Sequence, residues 1–411
     1  MVDNYSMNIK KKVFVFFFGF VLCAFIPAEI LYSPTWGFSL DIPEDYSYIG
    51  GDNKDRFSFM NQGGAQLDLA VYYAPPGGRA PYASVEAMAQ DVHRRLNNRG
   101  GLDTFEYRQK KVVVLELDFF FPEANGRTTP MKGWALCIEL AYQSSRAGGS
   151  AGANNRASAQ PGARPLLLAI AYGPANKPEL MALNFSVLDS IAPEEADKYA
   201  VGPITEYSFP RETRIIAPVY GLGVEALIYK EDPEAAQSLI DREFQVLLYY
   251  HDSPYWQDAW IRFYRAIYRD SFERLGDIAF QVERRLNVPE RENLDLADQA
   301  LGWVQSFSYE RNLVGSDFVN LVSAAVEGRG DCDSRAMLWS IVLQHANIPS
   351  AIMVSKHYGH AMGLADLAGS GARFELGGKR YLVAETTAPV SIGLIGENVS
   401  EVTNWLGIDF W

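Results

Sequence analysis

At about residue 231 the hydrophobic period of this chain changes. Upstream, within residues 35–195, segments such as 38–42 and 65–73 alternate apolar and polar side chains, as strands with one buried face do. Downstream, Trp256, Trp260, Phe263, Ile267 and Tyr268 recur at spacings of three and four, which predicts a helix packing an aromatic stripe into a core. A chain of 411 residues with these two regimes is expected to form two domains of α+β class rather than one core. Its 48% hydrophobic and 21% charged residues suit packed domains and argue against disorder.

The expected boundaries follow the composition. Residues 1–28 carry Lys10, Lys11 and Lys12, an unbroken apolar run at 13–26, and Ala28 just before Glu29. That is the pattern of a secretory signal cleaved near Glu29, and it implies export to a periplasmic or extracellular space. A retained membrane anchor is the alternative, although the run is shorter than the roughly 20 residues of a spanning helix. Residues 29–195 read as an α/β sandwich domain, with further strands at 111–119, 133–142 and 166–172. Ser84 is placed to cap a helix reaching Asn97, and a second helix is expected over 178–191. The Gly/Ala/Ser/Asn tract at 146–162 is expected to be a disordered loop. Residues 196–231 form a linker, and 232–411 a helical unit closed by an antiparallel sheet.

Whole classes of function are excluded early. A net charge of −13 and the lack of a basic stripe argue against nucleic acid as a partner. Five scattered histidines, no paired-cysteine spacing and no phosphate-cradling glycine loop leave no expected metal or cofactor. Cys137, in an apolar strand segment, is expected to be a buried inert thiol.

Chemistry concentrates after Gly328. Cys332 stands where a glycine-rich turn becomes a helix whose next residues, Ala336 to Leu343, are apolar nearly all round. The helix dipole and the unpaired N–H groups there favour a thiolate. His360 begins a later strand and Glu385 ends another, an order that suits a nucleophile, a base and an orienting acid. Competitors are excluded by distance. Asp366 is six strand residues beyond His360, about 20 Å away. His345 is thirteen helical positions past Cys332, again about 20 Å away. His357 falls in a turn, and Asp331 and Asp333 read as helix caps.

Over residues 290–395 this arrangement resembles the transglutaminase-like superfamily, whose members have a papain-like fold. The family's Gly-x-Cys, His and Asp-x-Thr motifs read here Gly330-Asp331-Cys332, His360-Ala361 and Glu385-Thr386-Thr387. The resemblance implies Cys332 as nucleophile, His360 as base and Glu385 as the acid, with Glu replacing the family's usual Asp. The segment from Trp36 to Tyr46 resembles the opening of PsbP/Mog1-like α/β sandwich domains. The expected function is an exported thiol hydrolase, a peptidase or amidase, acting on protein or peptide amides. Its N-terminal domain would bind an envelope partner. Alternatives are a cross-linking glutamine acyltransferase and a binding module that keeps the fold without turnover. Tyr309 is the candidate second oxyanion donor beside the Cys332 N–H.

Overall fold

The computed structural model describes residues 30–75, 77–123, 126–141, 164–286, 293–311 and 316–410. The expected signal segment 1–28 and the tract 146–162 lie outside the described residues. The protein is of α+β class, with two large antiparallel sheets flanked by helices. No helix among the described residues is long and apolar enough to cross a membrane.

A short antiparallel pair, β1 (Ile30–Tyr32) and β2 (Ser39–Asp41), precedes the first large sheet. That sheet comprises β3 (Ser47–Gly51), β4 (Arg56–Met60), β5 (Gln66–Tyr72), β6 (Leu102–Tyr107), β7 (Lys110–Pro122), β8 (Thr128–Glu139) and β9 (Leu166–Pro174). Its strand order is β3-β4-β5-β9-β8-β7-β6. Helix α1 (Val85–Leu96) starts at Ser84, whose hydroxyl accepts the Ala87 N–H, and ends at Asn97 with a left-handed φ of 50°. It covers one face through Val113, Leu115, Ala135 and Cys137. Helix α2 (Leu180–Asp189) covers the other through Val112, Val114, Leu136 and Ile138. Strand β7, next to the edge strand β6, is therefore apolar on both faces over residues 112–115, which the alternating pattern of other strands does not foretell.

The segment 196–231 carries structure of its own. After α3 (Pro203–Ser208), strands β10 (Arg214–Val219) and β11 (Val224–Tyr229) form a hairpin. Ala217, Val219, Ala226 and Ile228 of this hairpin pack into the core of the C-terminal half.

That half contains α4 (Asp232–Tyr249), α5 (Trp256–Arg274), α6 (Gly276–Leu286), α7 (Asn293–Gln305), β12 (Ser308–Tyr309), α8 (Leu321–Glu327), β13 (Arg329–Gly330) and α9 (Cys332–His345). The sheet strands β14 (Ser350–Ser355), β15 (His360–Ala365), β16 (Arg373–Leu376), β17 (Lys379–Ala384) and β18 (Leu406–Ile408) follow in the order β16-β17-β15-β14-β18. Helix α6 is absent from the sequence expectation. Helix α8 starts at Leu321, because the Asn320 side chain accepts the Ser323 N–H and fixes the cap there.

Helix α9 is buried against β14 and β15. Ser340 donates to the Ala351 carbonyl (2.9 Å) and Ser350 donates to the Ser340 carbonyl (2.7 Å). A Cβ on Gly363 would lie 2.4 Å from the Trp339 ring, so β15 can approach the helix this closely only with glycine there. The helix ends at Asn347, whose left-handed φ of 60° admits Asn readily, and the sheet turns at Gly377 and Gly378, both at positive φ.

The two halves meet along a charged seam. Glu243 of α4 accepts from Ser186 of α2 and from Arg262 of α5, and Arg242 pairs with Asp189 at 2.8 Å. All five side chains are buried or nearly so, so each charge depends on its partner across the seam.

Candidate active site

Cys332 is the first residue of α9, and Asp331 is the cap. Asp331 Oδ1 accepts from the Ser334 N–H (2.8 Å) and the Ser334 hydroxyl (2.6 Å). The approach to the cysteine is pinned on several sides. Gly328 closes α8 at a φ of 67°, and a Cβ there would fall 2.2 Å from the Tyr220 ring. Strands β12 and β13 pair in parallel, which sets Tyr309 opposite Gly330. Arg335 donates to the carbonyls of Gly330 (3.1 Å) and Phe307 (2.8 Å), locking both strands to the first turn of α9.

The thiol is only 4% exposed. Its Sγ donates to Asp333 Oδ2 at 3.4 Å, and the Tyr264 hydroxyl donates to the other oxygen of the same carboxyl. Burial pushes the Cys332 thiol well above its ordinary range, and Asp333 and Asp331 push it further. The Ala361 N–H acts in the opposite sense and is outweighed. This overturns the expectation of a thiol lowered by its helix terminus: one dipole end meets two carboxyl groups. Burial also raises Asp331 to about 8, with Asp333 adding to the rise. Among the described residues Asp331 Oδ2 is buried without a hydrogen-bond partner at normal distance and angle.

The opposite wall is built by strands. His360 opens β15, facing Ser355 of β14 across the ladder. Its Nε2 lies 2.8 Å from Glu385 Oε2, just past β17. Glu385 Oε1 accepts from the N–H (2.8 Å) and hydroxyl (2.6 Å) of Thr387. Gln305 of α7 donates to the carbonyls of Glu385 and Val390, both at 2.8 Å, and so fixes the loop. Burial alone would raise the Glu385 carboxyl, but His360 and Thr387 prevail and hold it below the usual carboxylate range.

Cys332 and His360 line one cavity of about 270 Å³, together with Asp333, Tyr264, Tyr309 and Asp317. With Nε2 engaged by Glu385, Nδ1 is the other ring nitrogen of His360 that can exchange a proton. The competitors lie elsewhere. Asp366 pairs with Lys379 at 3.2 Å. His345 stacks on Phe272 with ring centroids 4.1 Å apart, and exposed His357 sits edge-on to Tyr358. Cys137 is a free buried thiol in β8, and Cys332 is free as well. Among the described residues no cluster of His, Cys, Asp or Glu could hold a metal ion.

Two residues of the cleft escape the sequence. Asp333, expected to cap the helix, instead contacts the thiol. Tyr264, one position beyond Phe263 in an aromatic segment, contributes a hydroxyl to the cleft as well as ring packing.

No family model matches this chain, and no curated protein matches it. Among solved structures, a protein from Bacteroides thetaiotaomicron aligns at 14% identity and a TM-score of 0.25, over 59% of this chain and 78% of that one. Cyanobacterial PsbP (CyanoP) from Synechocystis sp. PCC 6803 aligns at 9% identity and a TM-score of 0.27, over 43% of this chain and 98% of that one. Both scores are too low for a shared fold to follow.

Proposed function

We propose that the cleft is a thiol acyl-transfer site of transglutaminase-like, papain-like type, with Cys332 as nucleophile, His360 as base and Glu385 as the orienting acid. The observation that carries this is the 2.8 Å contact between His360 and a Glu385 held ionised by Thr387, beside the cavity that contains Cys332.

The chemistry suits a thiol that rests protonated. His360 takes the Cys332 proton as sulfur attacks an amide carbonyl, and the charged Glu385 stabilises the imidazolium. The Cys332 N–H faces the developing oxyanion at the helix start. As the C–N bond breaks, the imidazolium returns its proton to the departing amine and a thioester remains. His360 then deprotonates a water that attacks the thioester, releasing a carboxylic acid and the free thiol. An amine in place of that water would give cross-linking.

Hydrolysis of protein or peptide amides is the preferred outcome, since nothing in the sequence marks an amine site. The rest of the proposal follows from the sequence: export directed by residues 1–28, and a PsbP/Mog1-like N-terminal domain, 29–195, that binds an envelope partner. A second reading, a binding module without turnover, is favoured by the raised thiol and by Asp333 beside it.

Iodoacetamide labelling of Cys332 in the full chain, at pH 7 to 9, separates the two. For an acyl-transfer site His360→Ala slows labelling and abolishes amide cleavage. Unchanged labelling in His360→Ala, with no cleavage by the parent protein, would leave the binding module.

A further inference from the structure

Building on the acyl-transfer reading, we infer that the cleft selects its substrate through an apolar side pocket on the α4–α5 hairpin, which takes one large aromatic or aliphatic side chain of a peptide. The pocket, about 200 Å³, is walled by Phe244, Leu247 and Leu248 of α4 and by Trp256 and Trp260 of α5. Lys356, in the turn between β14 and β15, and His251, just past α4 and 2.8 Å from the Asp252 carboxylate, close its rim. Phe244, Leu247, Trp260 and Lys356 also line the cavity of Cys332 and His360, so the two spaces adjoin.

The aromatic stripe of α5 explains why these walls are free. Phe263, Ile267 and Tyr268 are buried in the core, whereas Trp256 and Trp260 are half-buried and Leu248 is 48% exposed. The two indoles lie 6.0 Å apart and tilted, forming a wall rather than a packed layer. A space of this size admits one bulky side chain and not a folded segment. Its position beside the thiol makes the natural occupant a residue close to the attacked amide. The rim adds a charge requirement. Lys356 Nζ lies 5.0 Å from the Trp256 ring centroid, and among the described residues no carboxylate forms an ion pair with it. An acidic residue next to the bulky one would meet that ammonium. The ligand class is thus a peptide carrying adjacent acidic and large apolar residues.

The test is calorimetric titration of the full chain with acetyl-Glu-Xaa-Gly-Gly-amide peptides, where Xaa is Phe, Leu, Ala or Lys. Phe and Leu peptides should bind about tenfold or more tightly than Ala and Lys peptides, the scale set by burying several extra carbons. Leu248→Trp, which fills the mouth, should erase the Phe-to-Ala difference, with a melting curve to verify folding. Should that variant unfold, Leu248→Glu serves the same purpose. Lys356→Glu should reverse a preference for Glu over Lys at the first peptide position. Equal affinity for the Phe and Ala peptides overturns the pocket whatever the thiol does. Selective binding without His360-dependent labelling strikes the acyl-transfer reading instead, so the two failures are distinguishable.

Discussion

On the strand wall of the cleft, Glu385 is surrounded by donors: His360 on one oxygen and the N–H and hydroxyl of Thr387 on the other. On the helix wall, Asp331 and Asp333 bracket Cys332, and among the described residues one Asp331 oxygen lacks a partner. Glu385 is held down and Asp331 is held up, although burial raises both. Burial therefore decides the state of Asp331, with Asp333 adding to it, but is overcome at Glu385 by His360 and Thr387. A neighbour that becomes a cation stabilises the carboxylate, and a second carboxyl destabilises it. Under the proposed mechanism the first wall would carry charge through the reaction, while the second keeps a proton near the sulfur.

The most damaging test of this contrast is Glu385→Gln. An amide supplies no charge for the imidazolium, so amide cleavage should fall about a hundredfold or more. Glu385→Asp should be milder, and Asp366→Asn should leave rates unchanged because its carboxylate pairs with Lys379. Normal cleavage by Glu385→Gln would remove the distinction between the walls.

A smaller effect is expected from Asp333→Asn. Removing the charge next to the thiol should lower the Cys332 pKa, and one unit would raise iodoacetamide labelling at fixed pH about tenfold. Slower labelling would mean that Asp333 assists the thiol rather than restraining it.

The last effect concerns stability, where the two walls titrate in opposite senses. Asp331 rises from an ordinary 3.8 to about 8 on folding, so between these values the native state holds a proton that the unfolded chain has lost. Its contribution is full below about 4 and is lost as pH rises through 8, at up to about 1.4 kcal/mol per pH unit. Glu385 contributes above its ordinary 4.5 and loses that contribution as pH falls through its lower folded value. Urea unfolding of Asp331→Asn between pH 5 and 8 should show a flatter decline than the parent. Identical slopes would place the raised carboxyl elsewhere.

What the sequence makes legible is local. The Ser84 cap and the helix end at Asn97 are set by residues within a few positions of each, and the structure has them where the pattern predicts. Strand lengths alone favour Glu385 over Asp366 as a neighbour of His360, and the hydrogen bond lies there. What was illegible depends on partners far along the chain. Asp333 looks like a helix cap until Tyr264, 69 residues earlier, is seen to donate to it. Helix α6 and the β10–β11 hairpin bury their apolar faces against elements that local periodicity does not reveal. The fall of the thiol expectation has the same origin, since the helix terminus is local and the closed cavity around it is tertiary.

The hairpin at 214–229 also bears on where this molecule can be divided. Its backbone joins α8 through Tyr220, whose N–H donates to the Ala325 carbonyl and whose carbonyl receives the Trp303 indole N–H. The Tyr220 ring, in turn, occupies the space that Gly328 leaves free. A fragment begun at residue 232, where the helices start, would lack this brace and four core side chains, and would present the cysteine on a slack loop. Recombinant boundaries, and any gene fusion that transplants the cleft, therefore have to include the chain from before Arg214. The working unit of this cleft is longer than its helical pattern suggests.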